Sequence, residues 1–370
     1  MKIYWGVGLT AILLIGIALR LHGIHNPMLD HPGWRQGDTA AIARNFVRLR
    51  FDIMYPQTMY NGPPPNYVEL ELQIVPFLAA LLYKLFGIHP IFGRLITLSF
   101  SVATVATLAY FARWLFGSTL AGLTAAFFYA VFPGSVYYGR TFMPDGAMAF
   151  FLTAALYAAA VYLTGDARRP RLWLILATVL LTLAYLAKPV SLLAVIPIIA
   201  MAVERARAKR DLPLLPAAVL VVAPLAILAF YDRRIASYAE WHWASGITRL
   251  HVFPALRASL SSAGAFVAKL ESFRIVLGML RDTMLGRVSF AVAVVGFVAL
   301  PWIGARTKAL LWWWLAGGLL YAYLVVTVER VDYYLFPLLP LAALVIGGLF
   351  AQFASSLRRA DMAPPSRIAL

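Results

Sequence analysis

The sequence predicts an all-α protein that crosses a membrane about ten times. Of its 370 residues, 62% are hydrophobic and 13% are charged, and the mean hydropathy is +0.78. A soluble domain has an apolar fraction nearer to about 45–50%. Several apolar segments also reach the roughly 20 residues that a helix needs to cross a hydrocarbon core. These observations place the chain among the polytopic membrane proteins.

The net charge of +16 has a positional explanation. In a soluble protein it would suggest a nucleic-acid ligand, but here many basic residues flank apolar segments, where they set membrane topology. No nucleic-acid partner is expected, and the basic residues on the opposite side suit anionic lipid phosphate. The chain has no cysteine, so disulfides, thiolate metal sites and thiol nucleophiles are excluded.

The segment from Leu70 to Gly87 decides the topology. It is apolar, but it is short and contains Pro76 and Lys84, which favours an interfacial or re-entrant helix. If it does not cross, the basic loops gather on the side of the N-terminus, as the positive-inside rule requires. These loops hold Arg113, Arg168, Arg169, Arg171, Arg205, Arg207, Lys209, Arg210, Arg306 and Lys308.

The resulting prediction is one domain over residues 1–370 with both termini cytoplasmic. Since no small-residue cleavage site follows the first apolar segment, we expect a retained helix there. Two long regions lie outside, at 22–89 and 232–288, and the first contains the turn-forming run Asn61–Pro65 and short juxtamembrane helices. The expected spans are 4–21, 90–112, 118–138, 146–164, 172–187, 190–204, 214–231, 289–305, 309–327 and 333–353.

The stretch from Asp30 to Phe46 holds a dense group of charges in a chain that is poor in charge. Arg35, Asp38 and Arg44 follow Asp30 within this short run. Asp38 is the leading candidate for a carboxylate that acts on a substrate, and Asp30 and Arg35 are candidate substrate-binding residues. The structural alternative is that Asp38 is the N-cap of a helix.

The predicted topology places further polar residues at the same outer face. Charged groups at helix ends near lipid are costly to leave unpaired and are usually functional. We therefore expect one site formed by residues that are distant in the chain, namely Asp30, Asp38, Arg140, Asp145, Lys188, His242 and Glu329.

Arg140 and Asp145 belong to a polar run that interrupts an apolar stretch. One interpretation is a tight turn in which Asp145 caps the next helix. The functional interpretation sets Asp145 opposite Asp38 across a cavity, where two carboxylates can hold an acceptor hydroxyl, position a metal, or act as base and orienting group. Arg140 offers a fork of donors that suits a phosphate.

Four other residues also have alternative interpretations. Lys188 is either a snorkelling side chain at the membrane surface or a point charge for a phosphate. His242, between two tryptophans, is either part of an interfacial aromatic belt or a ligand or acid–base group. Glu69 and Glu71 precede the short apolar segment, where one can cap its helix and the other can coordinate a cation.

Five motifs carry a family resemblance. In chain order they are WRQGDTAAIARNF at 34–46, the run from Val68 to Gly93 that contains LLYKLFG, Arg140-Thr-Phe-Met-Pro-Asp145, Leu186-Ala-Lys188-Pro189, and Asp332-Tyr-Tyr-Leu-Phe-Pro337. Together they resemble the family-39-like membrane glycosyltransferases of the glycosyltransferase-C superfamily. Relatives include protein O-mannosyltransferases and the lipid A aminoarabinose transferase, and the likeness extends over residues 4–345.

The resemblance implies transfer of a sugar from a polyprenyl-phosphate donor, with inversion, at the outer face of a bacterial inner membrane. A lipid, glycan or protein would be the acceptor. Asp38 would be the general base, Asp145 a second carboxylate that assists or orients, and Arg140 and Lys188 contacts of the donor phosphate. Glu71 and His242 correspond to the region where some relatives place a metal, so a divalent ion is a candidate cofactor.

The sequence also departs from the family pattern. Many relatives have an adjacent Asp-Glu pair in the first outer loop, whereas this chain has Arg35-Gln36-Gly37-Asp38, which keeps Asp30 as a rival base. The chain is short, so acceptor recognition is expected from the two outer regions or from a partner. Two other functions stay open at this point: a transporter or flippase of a lipid-linked sugar, and a non-catalytic subunit of an envelope assembly.

Overall fold

A computed structural model describes residues 2–60, 65–209 and 214–361. Positions 61–64 of the predicted turn, and Arg210 of a predicted basic loop, lie outside these ranges. The described residues are mostly helical, and many of the helices are strongly apolar. The predicted fold class, an all-α polytopic membrane protein, is confirmed.

Eight helices in the described ranges are long and apolar enough to cross a membrane, compared with about ten predicted. They are α1 (Lys2–Leu21), α4 (Ile91–Phe116), α7 (Asp145–Thr164), α8 (Pro170–Ala187), α9 (Val195–Lys209) after a 3-10 segment (Pro189–Ala194), α10 (Leu214–Ala236), α15 (Ala309–Tyr321) with its continuation to α16 (Thr327–Glu329), and α17 (Leu339–Asp361) after a second 3-10 segment (Asp332–Leu338).

The other two predicted spans differ from the prediction. The span at 118–138 is divided into α5 (Thr119–Val131) and α6 (Pro133–Tyr138), because Pro133 has no backbone N–H to continue the helix and starts a new one instead. The span at 289–305 is only α14 (Arg287–Ala299). It joins the helical stretch Ala263–Leu285 at an angle of 112°. Helix α14 and this stretch of the second outer region are therefore the two arms of a bent pair.

The first outer region contains α2 (Gly33–Arg48) and α3 (Ile74–Phe86). Helix α3 has 13 residues and is therefore about 20 Å long, whereas a hydrocarbon core is about 30 Å thick. This length agrees with the expectation that the segment does not span.

The second outer region is also helical. It contains α11 (Ala244–Gly246), a π-helical turn (Ile247–Val252), α12 (Phe253–Ser259), and α13 (Ala263–Met279) with its π-helical end (Leu280–Leu285). A short parallel pairing joins the two outer regions: β1 (Val68–Glu69) lies beside β2 (Trp241–His242), with Val68 opposite Trp241.

Helix α7 lies at the centre of the bundle, where 83% of its apolar window is buried. It packs against α4, α8 and α9, and its many alanines let these helices approach closely. At Gly146, an added Cβ would lie 2.7 Å from Thr97 Cγ2 of α4. This close packing fixes the first turn of α7, which carries Asp145.

The buried side chain of Arg20 fixes the C-terminal end of α1. Its guanidinium donates hydrogen bonds to both Ser101 Oγ (2.8 Å) and Ser135 Oγ (2.7 Å), and also to the carbonyls of Gly16 (2.9 Å) and Ala130 (3.0 Å). Ala130 lies in the last turn of α5, where carbonyls lack helical partners. Arg20 therefore joins α1 to α4 and to the break between α5 and α6.

Candidate functional site

A cavity of about 650 Å³ lies between the outer regions and the ends of the spanning helices. One part of its wall is apolar and comes from the start of α9, from α15 and from the π-helical turn of the second outer region. Another part is polar and comes from α2, from the segment after β1 and from the chain on either side of the spanning helices. Its ionisable lining residues are Arg35, Glu71, Lys188, His242, His251, Tyr321, Tyr333 and Tyr334.

Lys188 and Asp145 form a buried ion pair at this cavity. Lys188 follows the last residue of α8 in an extended conformation, and the next residue is Pro189, so the helix stops and the side chain turns inward. Its Nζ donates to Asp145 Oδ1 at 2.6 Å. Asp145 is fully buried, and its Oδ2 has no hydrogen-bond partner among the described residues.

Two tyrosines complete the surroundings of Lys188. The Lys188 ammonium lies 4.5 Å from the centre of the Tyr333 ring and 5.1 Å from that of Tyr334. Aromatic faces attract a cation because their π electrons present negative charge. Lys188 is thus held between one carboxylate and two rings, and it still lines the cavity.

Arg35 forms a second ion pair, with Glu71. Arg35 lies in the first turns of α2, and Glu71 lies between β1 and α3. Both side chains are buried, and both line the cavity. In each pair the charge of the cation is balanced by that of the carboxylate, so the net charge of the two pairs is small. Arg35 and Lys188 still present N–H donors at the cavity wall.

Asp38 lies at the edge of the cavity. It is one helical turn after Trp34, which lines the cavity, and residues at this spacing share a helix face. The Tyr60 hydroxyl donates a hydrogen bond to the Asp38 carboxylate, and the Tyr60 ring stacks on Trp243, another lining residue, at 5.5 Å. Asp38 itself is half-buried and is not a lining residue.

The surroundings of Asp38 change its acidity. Partial burial raises the pKa of Asp38 above its ordinary value because it disfavours the charged carboxylate, and this outweighs the charge of Arg35 and the Tyr60 hydrogen bond. Arg35 also acts electrostatically on Asp145. The two predicted carboxylates therefore share Arg35 as a neighbour, although Asp145 is buried behind Lys188.

Two other predicted residues lie outside this cavity. Asp30 accepts a hydrogen bond from Gln36 Nε2 at 2.9 Å and lies 3.6 Å from the Arg94 guanidinium. Arg140 donates to the carbonyl of His22 and lines a second cavity of about 610 Å³ near α6. The structure thus brings Arg35, Glu71, Lys188 and His242 to one cavity and leaves Arg140 in another.

The predicted metal pair is separated by different pairings. Glu71 is engaged by Arg35, whereas the His242 Nδ1 lies 3.6 Å from Glu69 Oε2, which also accepts from Ser245 Oγ at 2.9 Å. In the described ranges, no group of three or more His, Asp or Glu side chains is arranged to hold a metal ion. Glu71 and His242 therefore do not fit as a ready-made metal site.

Several cavity residues were missed by the sequence prediction. Tyr333 and Tyr334 belong to the motif Asp332–Pro337, but that motif by itself assigns them no role. His251, which pairs with Glu329 at 2.8 Å, is not among the residues that the sequence pattern selects. The only available signal for these residues was their position beside predicted membrane surfaces, which is common for aromatic residues and histidines.

The site can now be compared with known proteins. Residues 73–231 match the family described as dolichyl-phosphate-mannose-protein mannosyltransferase. No relative is matched among curated proteins. Among solved structures, ArnT from Cupriavidus metallidurans bound to undecaprenyl phosphate has 13% sequence identity and a TM-score of 0.60, with 99% of this chain and 67% of that chain covered.

Two archaeal structures are also similar. The oligosaccharyltransferase from Archaeoglobus fulgidus in complex with Zn and sulfate has 13% identity and a TM-score of 0.56, with 95% of this chain and 50% of that chain covered. The oligosaccharyltransferase AglB from the same organism, in complex with an inhibitory peptide and a dolichol-phosphate, has 15% identity and a TM-score of 0.55, with 100% and 53% covered.

The resemblance to the glycosyltransferase-C membrane glycosyltransferases is confirmed. The glycosyltransferase-C likeness extends over nearly all of this chain, which spans about half to two thirds of the length of these solved structures. At these identities the structural likeness concerns the fold. The chain is an integral membrane protein with a glycosyltransferase-C fold.

Proposed function

We propose that this protein transfers a sugar from a polyprenyl-phosphate donor to an acceptor hydroxyl at the outer face of a bacterial inner membrane, with inversion at the anomeric carbon. The observation that carries this proposal is a single cavity that joins two buried cations, Arg35 and Lys188, to an extended apolar wall. A lipid-linked sugar phosphate has the same division into an anionic group and a long apolar chain.

In this proposal, the donor phosphate binds at the polar part of the cavity. Arg35 supplies a planar fork of donors, and Lys188 supplies a compact charge. As the bond from the anomeric carbon to the phosphate oxygen breaks, negative charge grows on the phosphate, and fixed cations in a poorly hydrated site stabilise it. Asp145 acts through Lys188, which it holds in place, and is therefore a positioning residue.

The prenyl chain would lie along the apolar wall. Val190 and Leu193 line the cavity from the 3-10 segment before α9, and Ile196 lines it from the first turn of α9. Leu320 and Leu324 line it from α15 and its continuation. Burial of each methylene group of such a chain contributes about 0.8 kcal/mol. A lipid-linked donor therefore gains much of its affinity from this wall, with no need for a nucleotide-binding loop.

Asp38 is the proposed general base. An acceptor hydroxyl placed at the edge of the cavity would give its proton to the Asp38 carboxylate while its oxygen bonds to the anomeric carbon. Attack on the face opposite to the departing phosphate inverts that carbon. The raised pKa of Asp38 makes it a better proton acceptor, which supports this choice over Asp30, whose carboxylate is engaged by Gln36 and Arg94.

The comparisons add support of a coarser kind. The matched family is described by a dolichyl-phosphate-linked mannose. The ArnT structure holds undecaprenyl phosphate, and an AglB structure holds a dolichol-phosphate and a peptide. A lipid, glycan or protein acceptor is therefore proposed, together with the membrane lipids that surround the chain.

The deciding experiment incubates the purified protein with a panel of polyprenyl-phosphate sugars and measures donor hydrolysis or transfer by mass spectrometry. We expect turnover of at least one donor, and a loss of 100-fold or more in the Lys188→Met variant, roughly the effect of removing one charge-stabilising contact. Asp166→Asn, at a surface pair with Arg306, is the control for detergent and handling effects.

Two results would contradict the proposal. If every donor stays intact but is moved between the leaflets of proteoliposomes, the protein is a transporter or flippase. If the donors are neither cleaved nor moved, and the protein only binds other envelope components, it is an assembly subunit.

A further inference from the structure

A histidine–carboxylate pair lies on the side of the cavity formed by the second outer region. His251 belongs to the π-helical turn Ile247–Val252, and Glu329 is the last residue of α16. Their Nδ1 and Oε1 atoms are 2.8 Å apart. The Glu329 side chain is only 16% exposed, whereas that of His251 is 56% exposed, so the carboxylate is fixed and the imidazole faces open space.

This pairing orients the imidazole ring. The two ring nitrogens lie on different edges, so a ring whose Nδ1 is bonded to Glu329 has its Nε2 free for another partner. His251 lines the cavity. When the ring is protonated, Nε2 is a hydrogen-bond donor.

Glu329 is connected to the polar part of the cavity by a sharp turn. The next residue, Arg330, has a left-handed backbone with φ of 51°, which reverses the chain after α16. Tyr333 and Tyr334, the two tyrosines beside Lys188, follow a few residues later. The His251–Glu329 pair thus links the second outer region to the turn that precedes the 3-10 segment with these rings.

The two fixed cations of the cavity are each bonded to a carboxylate, Arg35 to Glu71 and Lys188 to Asp145. A bound phosphate therefore competes with these carboxylates for hydrogen-bond donors. A further charged donor on the facing wall would improve its binding, and His251 is such a donor when protonated.

We propose that His251 binds the phosphate group of the donor through Nε2, and that Glu329 is the residue that positions it. This inference rests on the proposed function, because it assigns a third phosphate contact to the same cavity. Nothing in the sequence motifs selects this residue. It follows from the position of the pair.

Other ionisable groups near His251 bear on its pH dependence. The π-helical turn itself carries Arg249, the adjoining α12 carries Arg257, and α16 carries Glu329, whereas α11 carries none. His242 is a second histidine that lines the same cavity. A test by pH must therefore separate the two histidines.

The experiment measures binding of the methyl ester of farnesyl phosphate to the purified full chain by calorimetry at pH 5.5 and pH 8. This probe has no sugar, and a phosphodiester keeps one negative charge over that range. Because a charge-assisted hydrogen bond contributes about 10-fold or more to affinity, we expect tighter binding by wild type at pH 5.5. The His251→Gln variant should bind at both values as wild type does at pH 8.

Three variants make the result specific. Glu329→Gln keeps the ring but replaces the carboxylate that orients it, so the variant should bind the probe more weakly than wild type at pH 5.5. His242→Gln should keep the pH dependence. His25→Gln, at an exposed position outside both cavities, should behave as wild type does.

A His251→Gln variant with wild-type affinity and pH dependence would overturn the inference, as would loss of the pH dependence in His242→Gln alone. Lys188→Met separates this inference from the proposed function. If Lys188→Met loses probe binding while His251→Gln does not, only the role of His251 is wrong. If Lys188→Met binds the probe normally, the proposed phosphate site is wrong as well.

Discussion

Lys188 Nζ lies 2.6 Å from Asp145 Oδ1, and this contact joins the end of α8 to the start of α7 at the floor of the cavity. Asp145 is fully buried, so its charge is tolerated only because the ammonium is beside it. Lys188, in contrast, reaches the cavity. The carboxylate thus sets the position of a cation that is available to a ligand.

The Asp145→Asn variant should be strongly destabilised. It keeps the shape of the side chain but leaves Lys188 without its partner, and breaking a buried ion pair from one side costs about 3–5 kcal/mol. The double variant Asp145→Asn with Lys188→Met should recover part of this loss, because no unpaired charge remains. Thermal unfolding in detergent measures both. A single variant as stable as wild type would show that the pair contributes little.

Replacing Asp38 by Asn should abolish transfer without affecting membrane insertion. The amide keeps the size of the side chain but cannot accept the proton of an acceptor hydroxyl, and loss of a general base lowers the rate by about 100-fold or more. Initial rates with a saturating donor measure the effect. Asp52→Asn is the matched control, since Asp52 is partly exposed and pairs with Arg50. Equal rates in both variants would exclude Asp38 as the base.

The Tyr60→Phe variant should shift the pH profile of transfer. The base must be ionised to act, so the rate falls as the pH drops through the pKa of Asp38, which burial raises above the ordinary value. The Tyr60 hydrogen bond lowers that pKa. Its removal should move the acid limb of kcat/KM to higher pH, with stacking on Trp243 retained. An unchanged limb would mean that another group controls it.

Cysteine labelling can test the orientation of the chain, because the natural sequence has no cysteine. Leu29 of the first outer region is 89% exposed, and Arg168 is exposed in the loop between α7 and α8. In intact cells, Leu29→Cys should react with an impermeant thiol reagent and Arg168→Cys should not. The reverse pattern would invert the predicted topology. Gly146 is unsuitable for labelling because Thr97 leaves no room for a side chain.

The general architecture could be predicted from sequence because it depends on local composition. Apolar length locates most of the spanning segments, and the short helix α3 agrees with the prediction that its segment does not span. The direction in which they cross, inferred from the placement of Arg and Lys, stays a prediction. The two incorrect spans have identifiable causes. Pro133 divides one of them into α5 and α6. The other ends at Ala299 instead of 305, because Pro301 has no N–H to continue the helix.

The pairings within the site depend on helix rotation and strand register, which residue spacing does not determine. The prediction placed Lys188 and Asp145 at one face, but it did not pair them with each other. It selected Glu71 beside His242, whereas the register of β1 and β2 puts Glu69 opposite His242. Residues two positions apart in a strand share a face, so the sequence pattern does not distinguish Glu69 from Glu71. Only the register against β2 shows which of them lies opposite His242.

The short pairing of β1 with β2 constrains how a ligand can enter. The backbone N–H groups of Trp241 and Trp243 donate to the carbonyls of Tyr67 and Glu69. The Tyr231 hydroxyl donates to the carbonyl of Leu70. These bonds hold the two outer regions together beside the strand pair. Each contributes about 0.5–1.5 kcal/mol, so separation here is less favourable than movement elsewhere. We expect long-chain lipids to enter past Leu250 and Leu320, which are exposed and line the cavity, rather than between the paired strands.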